Sequence, residues 1–244
     1  MRKIAFLMAN VTPGRLSGEL ARRENILKSI ASPGTEINYF GLGTDTEKKS
    51  KFGAIQSSYE SALSVPRMLE CAIAAEKAGY QALIISCGGD PGVAPLREIV
   101  DVPIIPPGMT AKHVCSMLGN RFSILTTGKR ESYKVEVHER GSLLKLVSVH
   151  PIGLTVPEVR VKKEEAFEAM VREGKRAHEE FGAHSVTFGC MSMGYNMVAD
   201  RLTKEIGIPA VNPVKTAVRM AEMYIDLGLT HSRKAFPTPP SLLK

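Results

Sequence analysis

The sequence predicts an α/β protein built from two pseudo-symmetric, Rossmann-like lobes with parallel sheets. Two observations carry this. Apolar runs alternate with helical patterns along the whole chain, which is the signature of parallel strands joined by crossover helices. The second half also repeats the first, element by element. At 244 residues and 43% hydrophobic content the chain can bury a substantial core.

The elements follow in order. Strands are expected at 3–8, 36–41, 82–86, 102–105, 121–126, 145–150, 185–189 and 208–211. Helices are expected at 18–29, 64–78, 91–99, 110–118, 133–139, 163–181, 195–205 and 214–227. The repeat is explicit: AEKAGYQALIISC lies on HEEFGAHSVTFGC, so Gly79 stands eight residues before Cys87 and Gly182 eight before Cys190. VPIIPPGMTAKHVCSM lies on IPAVNPVKTAVRMAEM, matching Pro103 to Pro209 and Pro107 to Pro213. KIAFLMAN resembles RFSILTTG, and YFGLGT resembles HPIGLT. By this symmetry the helix after Pro107 crosses into the second lobe and the helix after Pro213 returns to the first. Lobe one is therefore 1–107 plus 213–244 and carries Cys87; lobe two is 108–212 and carries Cys190.

Composition excludes several function classes. The net charge is +7, from 32 basic and 25 acidic residues, but the basic residues are dispersed beside acids. Aromatics are 6% and Trp is absent, so no base-stacking platform is visible and no nucleic-acid partner is expected. No stretch is long and apolar enough to span a membrane, and MRKIAFLMAN is too short in its apolar run for a signal peptide. The four cysteines form no CxxC and lie at no zinc-ligand spacing from His, which suggests a cytoplasmic protein with reduced thiols and no metal. No Walker A, HExxH, GxGxxG or Ser-His-Asp pattern occurs, so no cofactor is implied. The expected partner is a small-molecule substrate, and a homo-oligomer is expected.

Two cysteines are singled out by position. Cys87 and Cys190 each follow a central strand, at the carboxyl edge where open α/β sheets bind ligands. Each stands ahead of a helix N-terminus, whose dipole favours thiolate. In SCGGDPG, Gly88 and Gly89 let backbone N–H groups approach a ligand, while Asp90 reads as an N-cap and Pro91 as the first helical residue. Cys71 and Cys115 lack symmetry mates and sit in amphipathic helical patterns, so they read as small core residues. Matched thiols facing one cleft suit two-base proton transfer at a stereocentre. One thiolate removes an α-proton from one face and the other thiol returns one to the opposite face. The enolate-like intermediate needs donors, which the backbone at Gly88, Gly89 and Met191 could supply.

The motifs SSYESALSVPRMLE, SCGGDPG, GNRFSILTTG, FGCMSMG, IPAVNPVKTAV and LGLTHSRKAFPTPP resemble the Asp/Glu/hydantoin racemase superfamily over nearly the whole chain, most closely its hydantoin (allantoin) racemase branch. The resemblance implies an Asp/Glu racemase-like fold with its active site in an interlobe cleft, Cys87 and Cys190 as the catalytic pair, and substrate contacts from Thr126 and Thr127; by the internal repeat their mates fall near Ala9 and Asn10, which makes Asn10 a further candidate. The activity it implies is cofactor-independent racemisation of a hydantoin or related cyclic ureide. Amino-acid racemases of the superfamily typically follow their two cysteines with Asn-Thr and Thr-Glu. Here Gly88-Gly89 and Met191-Ser192 stand instead, and MANVTPG replaces an Asn-Pro-Asn-Thr-like turn. The alternatives are an aspartate/glutamate-type racemase, a lyase or cis-trans isomerase of the same fold (arylmalonate decarboxylase-like or maleate isomerase-like), and a non-catalytic ligand-binding protein.

Overall fold

The structure, a computed structural model, describes residues 1–8, 17–40, 54–128 and 145–242. The helix expected at 133–139 lies outside the described residues. The chain divides into two compact units, Met1–Pro107 with Ala217–Lys244, and Gly108–Thr216.

The first unit holds a four-stranded parallel sheet with strands β1 (Arg2–Leu7), β2 (Thr35–Phe40), β3 (Ala82–Ile85) and β4 (Ile104–Ile105), in the order β2-β1-β3-β4. Its helices are α1 (Ser17–Ile30), α2 (Ser58–Lys77) and α3 (Val93–Ile99). Ala5, Leu7, Leu83 and Ile85 pack on Met68, Ala72 and Ala75 of α2 and Leu96 of α3. The continuous burial of β3 on both sides explains its unbroken ALII run. Helix α2 starts six residues before the expected Ser64, because Ser57 caps it: the Ser57 hydroxyl accepts from the Glu60 N–H at 3.2 Å, and Glu60 accepts from the Gln56 N–H at 2.6 Å. Pro66 lies inside the helix.

The second unit repeats this plan with β5 (Phe122–Thr126), β6 (Leu146–Pro151), β7 (Ser185–Phe188) and β8 (Ala210–Val211), in the order β6-β5-β7-β8, again all parallel. Helix α4 (Pro107–Leu118) enters this unit, followed by α5 (Val156–Val161), α6 (Lys163–Glu179), α7 (Met191–Gly194) and α8 (Ala199–Ile206). Helix α9 (Pro213–Asp226) contains the division between the units. One face of the sheet packs Leu125, Val186 and Phe188 on α6 and α8, and the other packs Phe122, Ile124 and Val149 on Ala111 and Cys115 of α4. Helices α5 and α7 have no counterpart among the expected elements, since each is too short to show a helical period.

The likeness of the halves extends to hydrogen-bond register. In the first unit Ile4 pairs with Ala82 and Leu7 with Ile85; in the second, Phe122 pairs with Ser185 and Leu125 with Phe188. The next bond is equivalent too: Ser86 N–H donates to Leu7 O at 3.0 Å and Gly189 N–H to Leu125 O at 2.8 Å. Cys87 and Cys190 follow these two residues.

Candidate active site

In each sheet the chain leaves the inner pair of strands in opposite directions. β1 leads outward to β2 and β3 to β4; β5 leads to β6 and β7 to β8. The carboxyl ends of β1/β3 and of β5/β7 are therefore topological switch points, where connecting segments diverge and leave an open crevice. Cys87 and Cys190 each stand two residues beyond the inner strand at that edge.

Cys87 is in no disulfide, is half-buried, and packs on the first unit's core. Gly88 and Gly89 form a turn closed by the Asp90 N–H, which donates to Cys87 O at 3.2 Å. The Cys87 Sγ lies over Gly89, 3.9 Å from where a Cβ would stand. Asp90 departs from its expected role. Gly92, at φ 71°, is the N-cap of α3, and the helix begins at Val93 rather than Pro91. Asp90 instead takes a left-handed backbone at φ 52° and is only 3% exposed. The reason is the turn itself. After the Cys87–Asp90 bond closes, the chain needs two further residues to realign with the helix axis, so Gly92 takes the cap position in place of Asp90. The dipole expected behind Cys87 belongs to a seven-residue helix whose first residue is Val93, too far to act within its first turn.

Cys190 is likewise in no disulfide and half-buried, and packs on the second unit's core. It is the N-cap residue of the single-turn α7, with an extended backbone at φ −131°. Its carbonyl accepts from Met193 N–H at 3.1 Å and Gly194 N–H at 3.4 Å. Met191, Ser192 and Met193 are buried, and the Met193 side chain belongs to the second unit's core. Thr126, at the end of β5, is buried against Gly189: a Cβ on Gly189 would stand 2.8 Å from the Thr126 Oγ1 and 3.0 Å from its Cβ. Thr126 and Cys190 thus share one edge, with the half-buried Thr127 beside them. Asn10 lies outside the described residues.

Two neighbours lie outside the expected site residues. Arg160 on α5 donates through Nε to the Ser192 hydroxyl at 3.3 Å, which places a guanidinium against the turn after Cys190. Asn212 donates to Gly194 O at 2.9 Å and accepts from Val214 N–H at 2.9 Å, fastening the end of α7 to the start of α9. The Asn-Pro pair ahead of a helical pattern is the signal that could have found Asn212; nothing local marks Arg160.

The other two thiols are structural. Burial pushes the Cys115 thiol up to about 12, and it is fully enclosed in the core under α4. Burial also raises the Cys71 thiol within α2. Among the described residues no group of three or more His, Cys, Asp or Glu side chains could hold a metal ion, and no helix is long and apolar enough to cross a membrane.

Comparison with known proteins agrees with this architecture. The family described as Asp/Glu/hydantoin racemase matches residues 48–221. A hydantoin racemase of Pseudomonas sp. (strain NS671) is 32% identical over 233 residues, covering 95% of this chain and 89% of that protein. The solved structure of an allantoin racemase from Klebsiella pneumoniae superposes with a TM-score of 0.81 at 26% identity, covering 100% of this chain and 97% of that one. That of an allantoin racemase from Pseudomonas fluorescens gives the same TM-score of 0.81 and 26% identity, over 98% of this chain and 97% of that one. The chain belongs to the Asp/Glu/hydantoin racemase family, on its hydantoin racemase branch, and is an isomerase of the racemase class.

Proposed function

We propose that the protein racemises a 5-substituted hydantoin or a related cyclic ureide such as allantoin, without a cofactor, through Cys87 and Cys190. The observation that carries this reading is the equivalent placement of the two thiols, one in each unit. Each stands two residues past the end of an inner strand, in the same register and at the same switch point. The names of the similar proteins support the ureide class.

In this reading one sulfur starts as thiolate and the other as thiol. The thiolate takes the proton from the ring carbon, and the C–H electron pair moves into the adjacent carbonyl to give an enolate. The opposite thiol protonates the same carbon on its other face. Thiol and thiolate have then exchanged places, so the reverse reaction uses the same groups in swapped roles. Gly88 and Gly89 keep side chains away from the first thiol, and the backbone N–H groups nearby offer donors to the enolate oxygen. Thr126, Thr127 and Asn10 contact the substrate, and the Met191 backbone N–H is a further donor to it. Reduced thiols at both sites fit a cytoplasmic setting.

The experiment is exchange of the α-hydrogen in deuterated water, with polarimetry, on a panel of hydantoins, allantoin, aspartate and glutamate. Cys87→Ser and Cys190→Ser each abolish racemisation of the ureide. Wild-type exchange in both variants would sink the two-thiol mechanism, and turnover of amino acids alone would move the substrate class.

A further inference from the structure

The proposed chemistry needs the Cys190 sulfur held in place, yet the segment that carries it is a single turn. Helix α7 has four residues with Cys190 as its N-cap, and the Cys190 carbonyl accepts from Met193 N–H at 3.1 Å and Gly194 N–H at 3.4 Å. So short a helix has no stability of its own. Side chains from outside α7 tie it at two points. At its end the buried Asn212 donates through Nδ2 to Gly194 O at 2.9 Å, so Gly194 is bonded to Cys190 through its N–H and to Asn212 through its carbonyl. The same Asn212 accepts through Oδ1 from Val214 N–H at 2.9 Å and Lys215 N–H at 3.3 Å, which caps α9. The fit is close: a Cβ on Gly194 would stand 2.8 Å from Val214 Cγ2 and 3.0 Å from Asn212 Oδ1. Nearer its start, the buried Ser192 hydroxyl accepts from Arg160 Nε at 3.3 Å. Arg160 belongs to α5, and Asn196, just past α7, donates to Val159 O of α5 at 3.2 Å. The segment ahead of α5 is itself bonded to the end of β5: Ile152 N–H donates to Thr126 O at 2.8 Å and Gly128 N–H to Leu154 O at 2.7 Å. The internal repeat puts Pro106 opposite Asn212, and a proline has no side-chain donor, so the amide tie serves the second thiol alone.

We infer that Asn212 and Arg160 are positioning residues for Cys190: they tie α7 to α9 and to α5, and the turn so clamped presents the thiol. The effect on turnover rests on the proposed catalytic role of Cys190; the effect on the thiol itself is independent of it. Asn212 acts through Gly194 and Arg160 through Ser192, so both reach the sulfur by way of the α7 backbone.

The test uses the full chain carrying Asn212→Asp or Arg160→Gln. The aspartate keeps an acceptor for the α9 cap but turns an oxygen toward Gly194 O in place of the donor, so the cap survives and the tie is lost. Alkylation by iodoacetamide is followed separately at Cys190 and Cys87 by peptide mass spectrometry, alongside kcat and KM for allantoin and a 5-substituted hydantoin. A displaced α7 changes the Cys190 alkylation rate about threefold or more and lowers kcat about tenfold with KM within about twofold, while Cys87 alkylates at the wild-type rate. Arg160 is half-buried, and Arg160→Gln shows the same Cys190-selective change if the aspartate variant folds poorly. Ser192→Ala removes the acceptor of Arg160, so the double variant Arg160→Gln with Ser192→Ala loses about tenfold in kcat, as either change does alone, rather than about a hundredfold. Equal changes at both thiols, an unchanged Cys190 rate in folded variants, or multiplied losses in the double variant overturns the inference. A Cys190-selective change in a protein that racemises no ureide leaves the inference standing and refutes the substrate reading instead.

Discussion

Replacing Gly189 by alanine probes the edge that presents Cys190. A Cβ there would stand 2.8 Å from the Thr126 hydroxyl, 3.0 Å from its Cβ and 3.3 Å from Ile124 Cγ2. Thr126 is buried at the end of β5 and cannot swing into solvent. Overpacking of this kind costs about 1–3 kcal/mol. A stiffer unfolded chain returns about 0.4–1 kcal/mol, since the Gly189 backbone is not left-handed. The net expectation is a loss of about 1–2 kcal/mol in urea denaturation, the difference of those two terms. Cys190 is the next residue, so the shift moves the sulfur that the proposed mechanism uses, and the exchange rate falls by up to about 10²-fold. Gly18 provides the control: nothing lies within 4 Å of the place a Cβ would take there, at the start of α1, so Gly18→Ala is neutral or stabilising. Adding Thr126→Ala to Gly189→Ala removes the hydroxyl contact, and the two changes couple by about 0.5–3 kcal/mol in stability. A Gly189→Ala protein with wild-type stability and rate, or additive behaviour in the double variant, refutes the reasoning.

Other outcomes follow from the same structure. In the native protein at pH 8, Cys87 and Cys190 react with iodoacetamide, while Cys115, pushed up to about 12 by burial, and the buried Cys71 label only after unfolding; peptide mapping reads this directly. Burial lowers the His150 imidazole below 6.5 despite Glu173, so the unfolded chain takes up the proton first. Stability therefore falls as pH drops from about 7 toward 5.5, and His150→Gln flattens that slope in urea titrations; an unchanged slope counts against it. His231, also lowered by burial and by Arg233, acts in the same direction and accounts for what slope remains. Glu222→Ala leaves the Ser32 N–H and hydroxyl, held at 2.7 and 2.8 Å, and Arg219 without their acceptor, and costs about 1–3 kcal/mol by urea denaturation.

Much of the fold is legible in the chain itself. All eight expected strands appear where apolar runs stand between Gly, Pro and polar turns, because strands buried on both faces of a parallel sheet read as continuous hydrophobic segments. The internal repeat is equally plain, and it led to Cys87 and Cys190 without any geometry. The errors fall where local pattern and local structure part. Asp90-Pro91 has every feature of a helix start, yet the turn from Cys87 consumes those residues first. The helix expected from residue 64 begins instead at Ser58, where the Ser57–Glu60 cap closes its first turn.

The sequence by itself determined the two-fold α/β plan and the place of each thiol at a strand end, since both follow from periodicity and spacing along the chain. Tertiary structure decided what surrounds those thiols. Thr126 against Gly189, Arg160 on Ser192, and Asn212 on Gly194 join residues far apart in the chain. Such contacts leave no local period to read, because they are set by which strand ends and helix ends the packed core brings side by side.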